Sequence, residues 1–280
     1  MKVQRLGFIV LLASLLSACS PQQSADTPAS TTDTSDSSAT SATTESSTPD
    51  FSGIWQVMNN ANWNLEAHSA AALGEFWQAG AIASVPAGKS MLKGGGSIPY
   101  LPEALVQRDE NRANAPGADP EAKCYMLGIP RATYHPMPFQ IFQSEGDDIL
   151  MVYPFAAMLR VIHMGETDGL PLDSWMGKSN GRWDGDVLEV TTLNQNGMSW
   201  LDRFGNFASN QLVVTERFTK LGPDHIWYEA TLDDPQTFSE PWTIEMPLYR
   251  HIEEDAQILE HKCVPFADKL LYSDLMGLEE

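Results

Sequence analysis

Alternating apolar and polar residues run through most of the second half of the chain and predict β-strands. Successive side chains of a strand point to opposite faces, so a period of two marks a strand with one buried face. Runs of this kind follow one another with only a few turn residues between them. The predicted strands are Phe139–Gln143, Ile149–Tyr153, Met158–Met164, Arg182–Trp183 paired with Val187–Leu193, Leu212–Thr219, Ile226–Leu232, Trp242–Tyr249 and Ala256–Lys262.

Consecutive strands joined by tight turns favour an antiparallel meander. With about eight or nine strands, such a meander closes into an up-and-down barrel or forms a strongly curved sheet, and a β-sandwich is the alternative. The segment Gly53-Ile54-Trp55 resembles the first strand of lipocalin-like barrels. That resemblance implies a tryptophan that closes the barrel floor. We therefore predict a mainly β fold with two or three flanking helices.

Three segments have the composition of helices. Asn62–Ala83 is rich in alanine, leucine, glutamate and aromatic residues, which predicts helix in at least part of it. Pro102–Ala113 begins with proline and continues with strong helix formers. Pro265–Met276 is predicted to form a closing helix. Pro86–Pro99, which contains Gly94-Gly95-Gly96, is predicted to be a loop.

The N-terminus has the pattern of a bacterial secretory signal. Lys2 and Arg5 flank an apolar run, Leu6–Leu16, that is too short to span a bilayer. The run ends in Leu16-Ser17-Ala18-Cys19, which resembles the lipobox of bacterial lipoproteins. That resemblance implies cleavage before Cys19, diacylglycerol on its thiol and a further acyl chain, such as palmitate, on the new amino terminus. An ordinary secretory signal is the alternative.

The segment Ser20–Asp50 consists almost entirely of Ser, Thr, Ala, Pro and Asp. Such a composition cannot offset the chain entropy of folding, so the segment is predicted to be a disordered tether. The position of Ser20 after the lipidated cysteine favours the outer membrane, with the domain facing the periplasm. The predicted organisation is a signal peptide at 1–18, the lipidated cysteine and tether at 19–50, and one β-rich domain at 51–280.

Charge restricts the possible partners. The chain carries a formal net charge of −20, and removal of Lys2 and Arg5 with the signal peptide brings the mature form to about −22. Such a negative chain repels nucleic acid and anionic lipid heads. The membrane is therefore predicted to be reached through the lipid anchor only. The sequence leaves the oligomeric state open.

Cys124 and Cys263 are the cysteines that remain after lipidation. In an oxidising periplasm the simplest prediction is one disulfide between them, and two buried free thiols are the alternative. His261 lies near Cys263, but no matching ligand lies near Cys124. Neither a metal site nor a cofactor is therefore predicted.

The register of the later strands separates two kinds of face. From Leu212 to Tyr249, each strand has one mostly apolar face and one face with charged and aromatic residues. The simpler interpretation is core against solvent, and the alternative is that the polar faces line a ligand-binding lumen. Glu216 falls in the apolar register, so its carboxylate needs a partner, such as an arginine across the sheet.

The candidate catalytic residues are Arg160, His163 and Asp202. Arg160 and His163 are the ionisable residues of Met158–Met164, whose two faces are both mostly apolar, so this strand is predicted to be buried on both sides. Histidine is the usual general base near neutral pH, and arginine can hold an anion. The alternative for His163 is a histidine hydrogen-bonded in the core. No zinc-protease, α/β-hydrolase or nucleotide-binding motif is present.

Three segments carry the densest motifs: Gly181–Val190, Trp200–Gly205 and Tyr228–Pro235. They resemble a family of secreted bacterial proteins that share a Gly-Arg-Trp-x-Gly-Asp-x-Leu-x-Val turn, a Trp-x-Asp-Arg-x-Gly segment and a Tyr-Glu-x-Thr-x-x-Asp-Pro strand end. That resemblance, over most of Phe51–Lys269, implies a family but no mechanism. Within it, Asp184-Gly185-Asp186 is predicted to be a tight turn. The predicted ligand-binding residues are His135, Trp175, Arg182, Trp183, Trp200 and Arg203.

Three functions fit these observations. The first is a membrane-tethered periplasmic lipoprotein that binds a small amphipathic or aromatic molecule in a barrel cavity. The second is an acid–base enzyme, an isomerase, lyase or hydrolase, that acts on a small organic substrate in the same cavity. The third is an envelope-assembly lipoprotein without chemistry. Convergence of His163, Arg160, Arg182 and Asp202 at one open cavity would favour the enzyme.

Overall fold

Nine strands close into a barrel in a computed structural model that describes residues 48–72, 84–144, 146, 148–165 and 172–267. The helices of this part of the chain are α1 (Pro102–Ala113) and α2 (Arg131–Tyr134). Its strands are β1 (Gly53–Gln56), β2 (Ala71–Ala72), β3 (Ser84–Val85), β4 (Phe139–Phe142), β5 (Ile149–Tyr153), β6 (Met158–Met164), β7 (Lys178–Asp184), β8 (Val187–Leu193), β9 (Val213–Gly222), β10 (His225–Asp233) and β11 (Trp242–Arg250). Strands β2 and β3 form a separate pair, and the other nine follow the order β1-β11-β10-β9-β8-β7-β6-β5-β4 around the barrel.

The predicted mainly β barrel is confirmed, and the β-sandwich alternative is wrong. Neighbouring strands are antiparallel except at one junction, where β6 and β7 run parallel with Ile162 opposite Ser179 and Met164 opposite Gly181. A parallel pair cannot be joined by a tight turn, so the chain needs the longer connection between Met164 and Lys178. The barrel is therefore mixed rather than a pure meander.

Several predicted elements can be compared with the observed ones. Pro102–Ala113 is confirmed as α1, and Pro86–Pro99 is confirmed as irregular chain. Helix was predicted in at least part of Asn62–Ala83, and residues 62–72 contain none of it, since they form turns and β2. Leu65 is fully buried in the barrel core, and its backbone N–H donates to the carboxylate of Asp202. Tertiary contacts therefore override the local helix propensity of residues 62–72. Residues 73–83 lie outside the described part of the chain.

Two elements were predicted in the C-terminal segment, a strand and a closing helix. Ala256–Lys262 is not a strand but irregular, mostly exposed chain. The end of β11 from which this segment continues is already paired with β1, and the Met91–Lys93 loop pairs with a further part of the β11 edge. Of the closing helix predicted at Pro265–Met276, all residues beyond Ala267 lie outside the described part of the chain.

The apolar faces of β9, β10 and β11 point into the barrel. They are at most 7% exposed, whereas the polar faces of the same strands are half-buried or exposed. The interpretation as core against solvent is therefore confirmed, and the alternative that the polar faces line a lumen is wrong. The inward residues of these strands are Val214, Glu216, Phe218, Ile226, Tyr228, Ala230, Leu232, Trp242, Ile244, Met246 and Leu248.

One ion pair lies among these apolar side chains. The guanidinium of Arg160 on β6 pairs with the carboxylate of Glu216 on β9, and both side chains are at most 2% exposed. The same guanidinium donates to Ser179 Oγ at 2.8 Å and to Thr192 Oγ1 at 2.9 Å, while Tyr228 Oη donates to Glu216 at 2.8 Å. The expectation that Glu216 pairs with an arginine across the sheet is confirmed. Burial alone would lower the pKa of Arg160, but the Glu216 charge raises it above its ordinary value.

A disulfide ties the chain after the barrel to the segment between β1 and β4. Cys124 and Cys263 are bonded, as predicted from the sequence, with Cα atoms 5.7 Å apart and 139 positions between them in sequence. Close by, the backbone N–H of Phe266 donates to the carbonyl of Ala122 at 2.7 Å. The disulfide therefore holds an otherwise irregular C-terminal segment against the domain.

Replacement of both Cys124 and Cys263 by alanine is expected to lower the free energy of unfolding by about 5 kcal/mol, because a loop this long restricts the unfolded chain strongly in the chain-entropy model. Urea unfolding of the two proteins measures the difference. A reductant should destabilise the wild type and leave the double variant unchanged. Equal stability of wild type and variant would contradict a stabilising role.

Candidate functional site

The barrel wall opens where β1 and β11 diverge. β1 has four residues and β11 has nine, and they pair only through Trp55 with Arg250 and Gln56 with Tyr249. Beyond this point β11 has no β1 partner. The resulting groove, which we call the seam groove, is lined by Met58, Asn59, Lys89, Ser90, Met91, Leu92, Trp227, Glu245, Met246, Pro247 and Tyr249.

A loop replaces the missing strand along part of this seam. Lys93 N donates to the carbonyl of Thr243 at 2.8 Å, and Glu245 N donates to the carbonyl of Met91 at 2.9 Å. Pro247 follows in the same register and has no N–H group. Because a proline cannot donate, β11 faces the open part of the seam without leaving an unpaired N–H at that position. The backbone is thus satisfied while the groove stays open.

The other side of the groove is fixed by contacts upstream of that loop. His68 and Gly88 exchange two backbone hydrogen bonds of 3.0 Å, and the Asn60 side chain donates to the carbonyl of Ala87 at 2.8 Å. A Cβ at Gly88 would lie 2.6 Å from the His68 ring, so a larger residue would push the loop away. The chain that carries Lys89 is therefore held at a set distance from the barrel.

The groove has the chemistry of a small ligand site. It encloses about 280 Å³, near the lower end of the range of roughly 300–1,000 Å³ typical of ligand pockets. Its walls combine three methionines, Met58, Met91 and Met246, with the rings of Trp227 and Tyr249. Methionine side chains are flexible and polarizable, so such a wall adapts to ligands of different shape.

Charged residues stand at the rim of the groove. Lys93 forms an ion pair with Glu229 and lies 4.0 Å from Glu245. The hydrogen bond to Glu229 raises the pKa of Lys93. Lys89, in contrast, has no ion-pair partner within the described part of the chain, and its side chain is exposed. The rim therefore presents one ammonium group that is available to an anion.

A second polar cluster is buried, with Glu121 at its centre. The Glu121 carboxylate accepts from the guanidinium groups of Arg131 and Arg203 and from Asn62 Nδ2, and it lies 3.3 Å from His135 Nε2. Arg131 also makes a two-pronged ion pair with Asp119 at 2.8 and 2.9 Å. Most of these side chains are at most 6% exposed, and that of Arg203 is 27% exposed. Because every carboxylate is paired, the cluster has the features of a structural network.

The protonation states in this cluster follow from burial and charge. Burial would raise the pKa of Glu121, but the charges of Arg131 and Arg203 hold it well below its ordinary value. Burial lowers the pKa of His135, although its hydrogen bond to Glu121 opposes this. A neutral His135 donates through Nε2 and accepts the Met137 N–H through Nδ1, at 3.4 Å. Both ring nitrogens are thus occupied.

The proposed catalytic residues do not share one cavity. Arg160 points into the barrel core, whereas His163 lies on the outer face of the same strand, 37% exposed, with Nδ1 2.7 Å from Asp148. Arg182 also faces outward, 72% exposed, and pairs with Glu189. The prediction that Met158–Met164 is buried on both sides is wrong, because its outer apolar residues are exposed. The catalytic roles stay predictions.

Asp202 is fully buried in a loop that it organises. Its carboxylate accepts N–H bonds from Leu65 at 2.9 Å, from Phe204 at 2.9 Å and from the backbone and side chain of Asn206 at 3.2 and 2.6 Å. Burial raises its pKa to about 6, against the lowering effect of these donors. A buried carboxylate that accepts four hydrogen bonds holds the surrounding loop in place.

The predicted ligand-binding residues divide into two groups. His135 and Arg203 meet at Glu121, where Arg203 also lies over the Trp63 ring at 4.2 Å, and Trp200 reaches Arg131 through its carbonyl at 3.4 Å. The others lie elsewhere. Trp183 stacks on Phe51 at 5.9 Å, Trp175 stacks on Tyr125 at 5.1 Å, and Arg182 belongs to the outer wall.

Sequence reasoning missed the seam groove. Its residues come from four stretches of the chain that no motif connects. Two local signals point to it: a proline inside β11, at Pro247, and a glycine-rich loop with two lysines, Lys89 and Lys93. Neither signal is specific without the strand pairing.

Comparison with known protein families, curated proteins and solved structures found no match to this chain. Among the described residues, no helix has the length and apolar character needed to cross a membrane. The same residues contain no group of three or more His, Cys, Asp or Glu side chains placed to hold a metal ion.

Replacement of Glu121 by glutamine is expected to lower the free energy of unfolding by about 3–5 kcal/mol at pH 7, because Arg203 loses its carboxylate partner and Arg131 keeps only Asp119. The pKa of Glu121 is depressed, so its contribution is present above about pH 4.3 and is lost as the pH falls through its folded-state pKa. The stabilities of wild type and E121Q should therefore converge at acid pH. Chemical denaturation between pH 7 and pH 3 measures this.

Glu110→Gln is the matched control, because Glu110 is an exposed residue of α1. It should change the free energy of unfolding by less than about 0.5 kcal/mol at any pH. A difference between wild type and E121Q that stays constant down to pH 3 would contradict the assigned charge state.

Proposed function

We propose that this chain is a lipid-anchored β-barrel protein of the bacterial envelope that binds a small amphipathic molecule in the seam groove. The ligand was expected in the barrel lumen, but the inward side chains of β9–β11 are almost fully buried. A residue without accessible surface leaves no room beside it for a water molecule. We therefore place the binding site in the open seam and not inside the barrel.

The observation that carries this proposal is the composition of the groove. Methionines and two aromatic rings line the groove together with Glu245 and with Lys89, which has no ion-pair partner among the described residues. An aromatic or aliphatic body would bury apolar surface against Met58, Met91 and Trp227. A carboxylate, sulfonate or phosphate head would reach Lys89. The ligand class is therefore an amphipathic anion.

Two fluorescent probes that differ in charge test this assignment: 1-anilinonaphthalene-8-sulfonate and its neutral analogue N-phenyl-1-naphthylamine. Trp227→Ala removes a wall of the groove and should weaken both probes roughly tenfold. Lys89→Glu reverses the charge at the rim and should weaken the anionic probe by about five- to tenfold, with little effect on the neutral one. Fluorescence titration at 0.15 M salt measures both affinities.

Lys123→Glu is the matched control, since Lys123 is also exposed and the change in net charge is identical. It should leave the affinity for both probes unchanged. If K123E and K89E weaken the anionic probe equally, net charge and not the rim lysine attracts the ligand. If W227A binds both probes like the wild type, the groove is not the binding site.

The anchor and the location rest on the N-terminal sequence. The lipobox-like Leu16-Ser17-Ala18-Cys19 supports acylation of Cys19 after removal of the signal peptide. Acylation with two or more chains gives stable membrane attachment. Ser20–Asp50 then serves as a spacer between the outer membrane and the barrel, on the periplasmic side.

Cys19→Ser is expected to abolish membrane attachment, because it removes the thiol that carries diacylglycerol. Mass spectrometry of the mature N-terminus should find acyl groups on Cys19 in the wild type and none in the variant. Ser17→Ala, which keeps a small residue before the cleavage site, should still be acylated. An unmodified Cys19 in the wild type would refute the lipoprotein assignment and leave the groove assignment untouched.

A further inference from the structure

One wall of the seam groove combines a carboxylate with two aromatic rings. On the outer face of the barrel, Glu245, Pro247 and Tyr249 follow one another along β11, and Trp227 on β10 lies opposite Pro247. Aromatic and long side chains reach one another across diagonal positions of neighbouring strands. The carboxylate and the two rings are therefore neighbours around Pro247, and all of them line the groove.

The carboxylate and the indole ring of this wall have few partners within the part of the chain that the structure describes. Among those residues, the Glu245 carboxylate accepts no hydrogen bond, and its one ion-pair partner, Lys93, lies 4.0 Å away and donates its hydrogen bond to Glu229 instead. The Trp227 ring contacts no aromatic ring and no cation of the described chain. Both side chains are half-buried, so each keeps surface that a ligand can contact.

We propose that the ligand of the seam groove also carries a quaternary ammonium group, which binds between Glu245 and the rings of Trp227 and Tyr249. This inference rests on the proposed function of the groove and makes its ligand a zwitterion. A cation over an aromatic ring is attracted by the negatively polarised ring face, and a nearby carboxylate adds its full charge. The net charge of −20 further favours the approach of a cationic group.

The polar side chains of the groove favour a quaternary ammonium over a primary one. A primary ammonium brings three N–H donors, each of which needs an acceptor once water is removed. Asn59 Oδ1 already accepts from Ala61 N at 2.9 Å, and Ser90 Oγ accepts from Leu92 N at 3.1 Å. Glu245 remains as the charged acceptor, and one carboxylate cannot serve three donors that point in different directions. A quaternary ammonium has no N–H group to leave unpaired.

The two charges of such a ligand contact opposite walls of the groove. Lys89 belongs to the loop wall and has no ion-pair partner among the described residues, whereas Glu245 belongs to the β11 wall. A phosphate or carboxylate at Lys89 and an ammonium group at Glu245 therefore span the opening. The apolar body then lies along Met58 and Met91, where it buries apolar surface.

Phosphocholine and 3,3-dimethylbutyl phosphate test this inference, because a carbon atom of the second compound replaces the charged nitrogen of the first. Isothermal titration calorimetry of the mature protein at 0.15 M salt should show that phosphocholine binds at least about fivefold more tightly. Glu245→Gln keeps the shape of the side chain and removes its charge. It should weaken phosphocholine by about five- to tenfold and leave the carbon isostere unchanged.

Glu240→Gln is the matched control, because Glu240 is exposed, lies outside the groove and gives the same change in net charge. It should leave both affinities unchanged. Equal binding of the two phosphates by the wild type overturns the inference, as does equal weakening of phosphocholine by E245Q and E240Q. Phosphocholine that does not bind at about 10 mM overturns it as well.

An octanoyl lysophosphatidylcholine, used below its micelle concentration, distinguishes two sources of the same chemistry. If it binds more tightly than phosphocholine and E245Q weakens both, the ligand is a lipid whose chain lies along the methionines. Equal affinity of the two, with the same effect of E245Q, indicates a water-soluble zwitterion, and either result supports the cationic subsite. The naphthalene probes carry no quaternary ammonium, so their titration decides separately whether the groove binds amphipathic molecules.

Discussion

The ion pair between Arg160 and Glu216 is the constraint on which the barrel depends. One guanidinium group contacts side chains from β7, β8 and β9, and Tyr228 on β10 completes the shell of the carboxylate. The pair spans the parallel junction of β6 and β7, where only three residue pairs hold the wall together. Leaving either charge without its partner inside the barrel would cost several kcal/mol, so the register of these strands is strongly specified. The interior of the barrel therefore contributes to the stability of the fold.

The densest sequence motifs encode this scaffold and not a binding site. In Gly181–Val190, a Cβ at Gly181 would lie 2.6 Å from Ile162, Trp183 packs against the core, and Gly185 makes the turn with a φ of 60°. In the second motif Asp202 anchors a loop, and a Cβ at Gly205 would lie 2.6 Å from a backbone nitrogen of α1. The third motif supplies Tyr228 to the central ion pair. Motifs built from such residues carry information about fold and little about ligands.

Predictions from the sequence were correct where a structural feature follows from a local or periodic pattern of residues. The alternation along β9–β11 placed the core, the apolar register of Glu216 demanded a cationic partner, and the redox environment predicted the disulfide of Cys124 with Cys263. The helix expected at Asn62–Ala83 failed over 62–72, because Leu65 packs into a core assembled from distant strands. The seam groove could not be predicted at all. It results from the unequal lengths of β1 and β11 and from a loop some 150 residues away from the strand that it meets.

The order of strands around the barrel places the seam groove beside the point where the chain enters it. The groove involves β10 and β11, and β1 stands between β11 and β4. The chain enters the barrel at β1, where Phe51 N donates to the Gln143 side chain at 3.0 Å beside Phe142. Because the inward side chains of β9–β11 are almost fully buried, ligand binding in the proposed seam groove does not require the barrel to open.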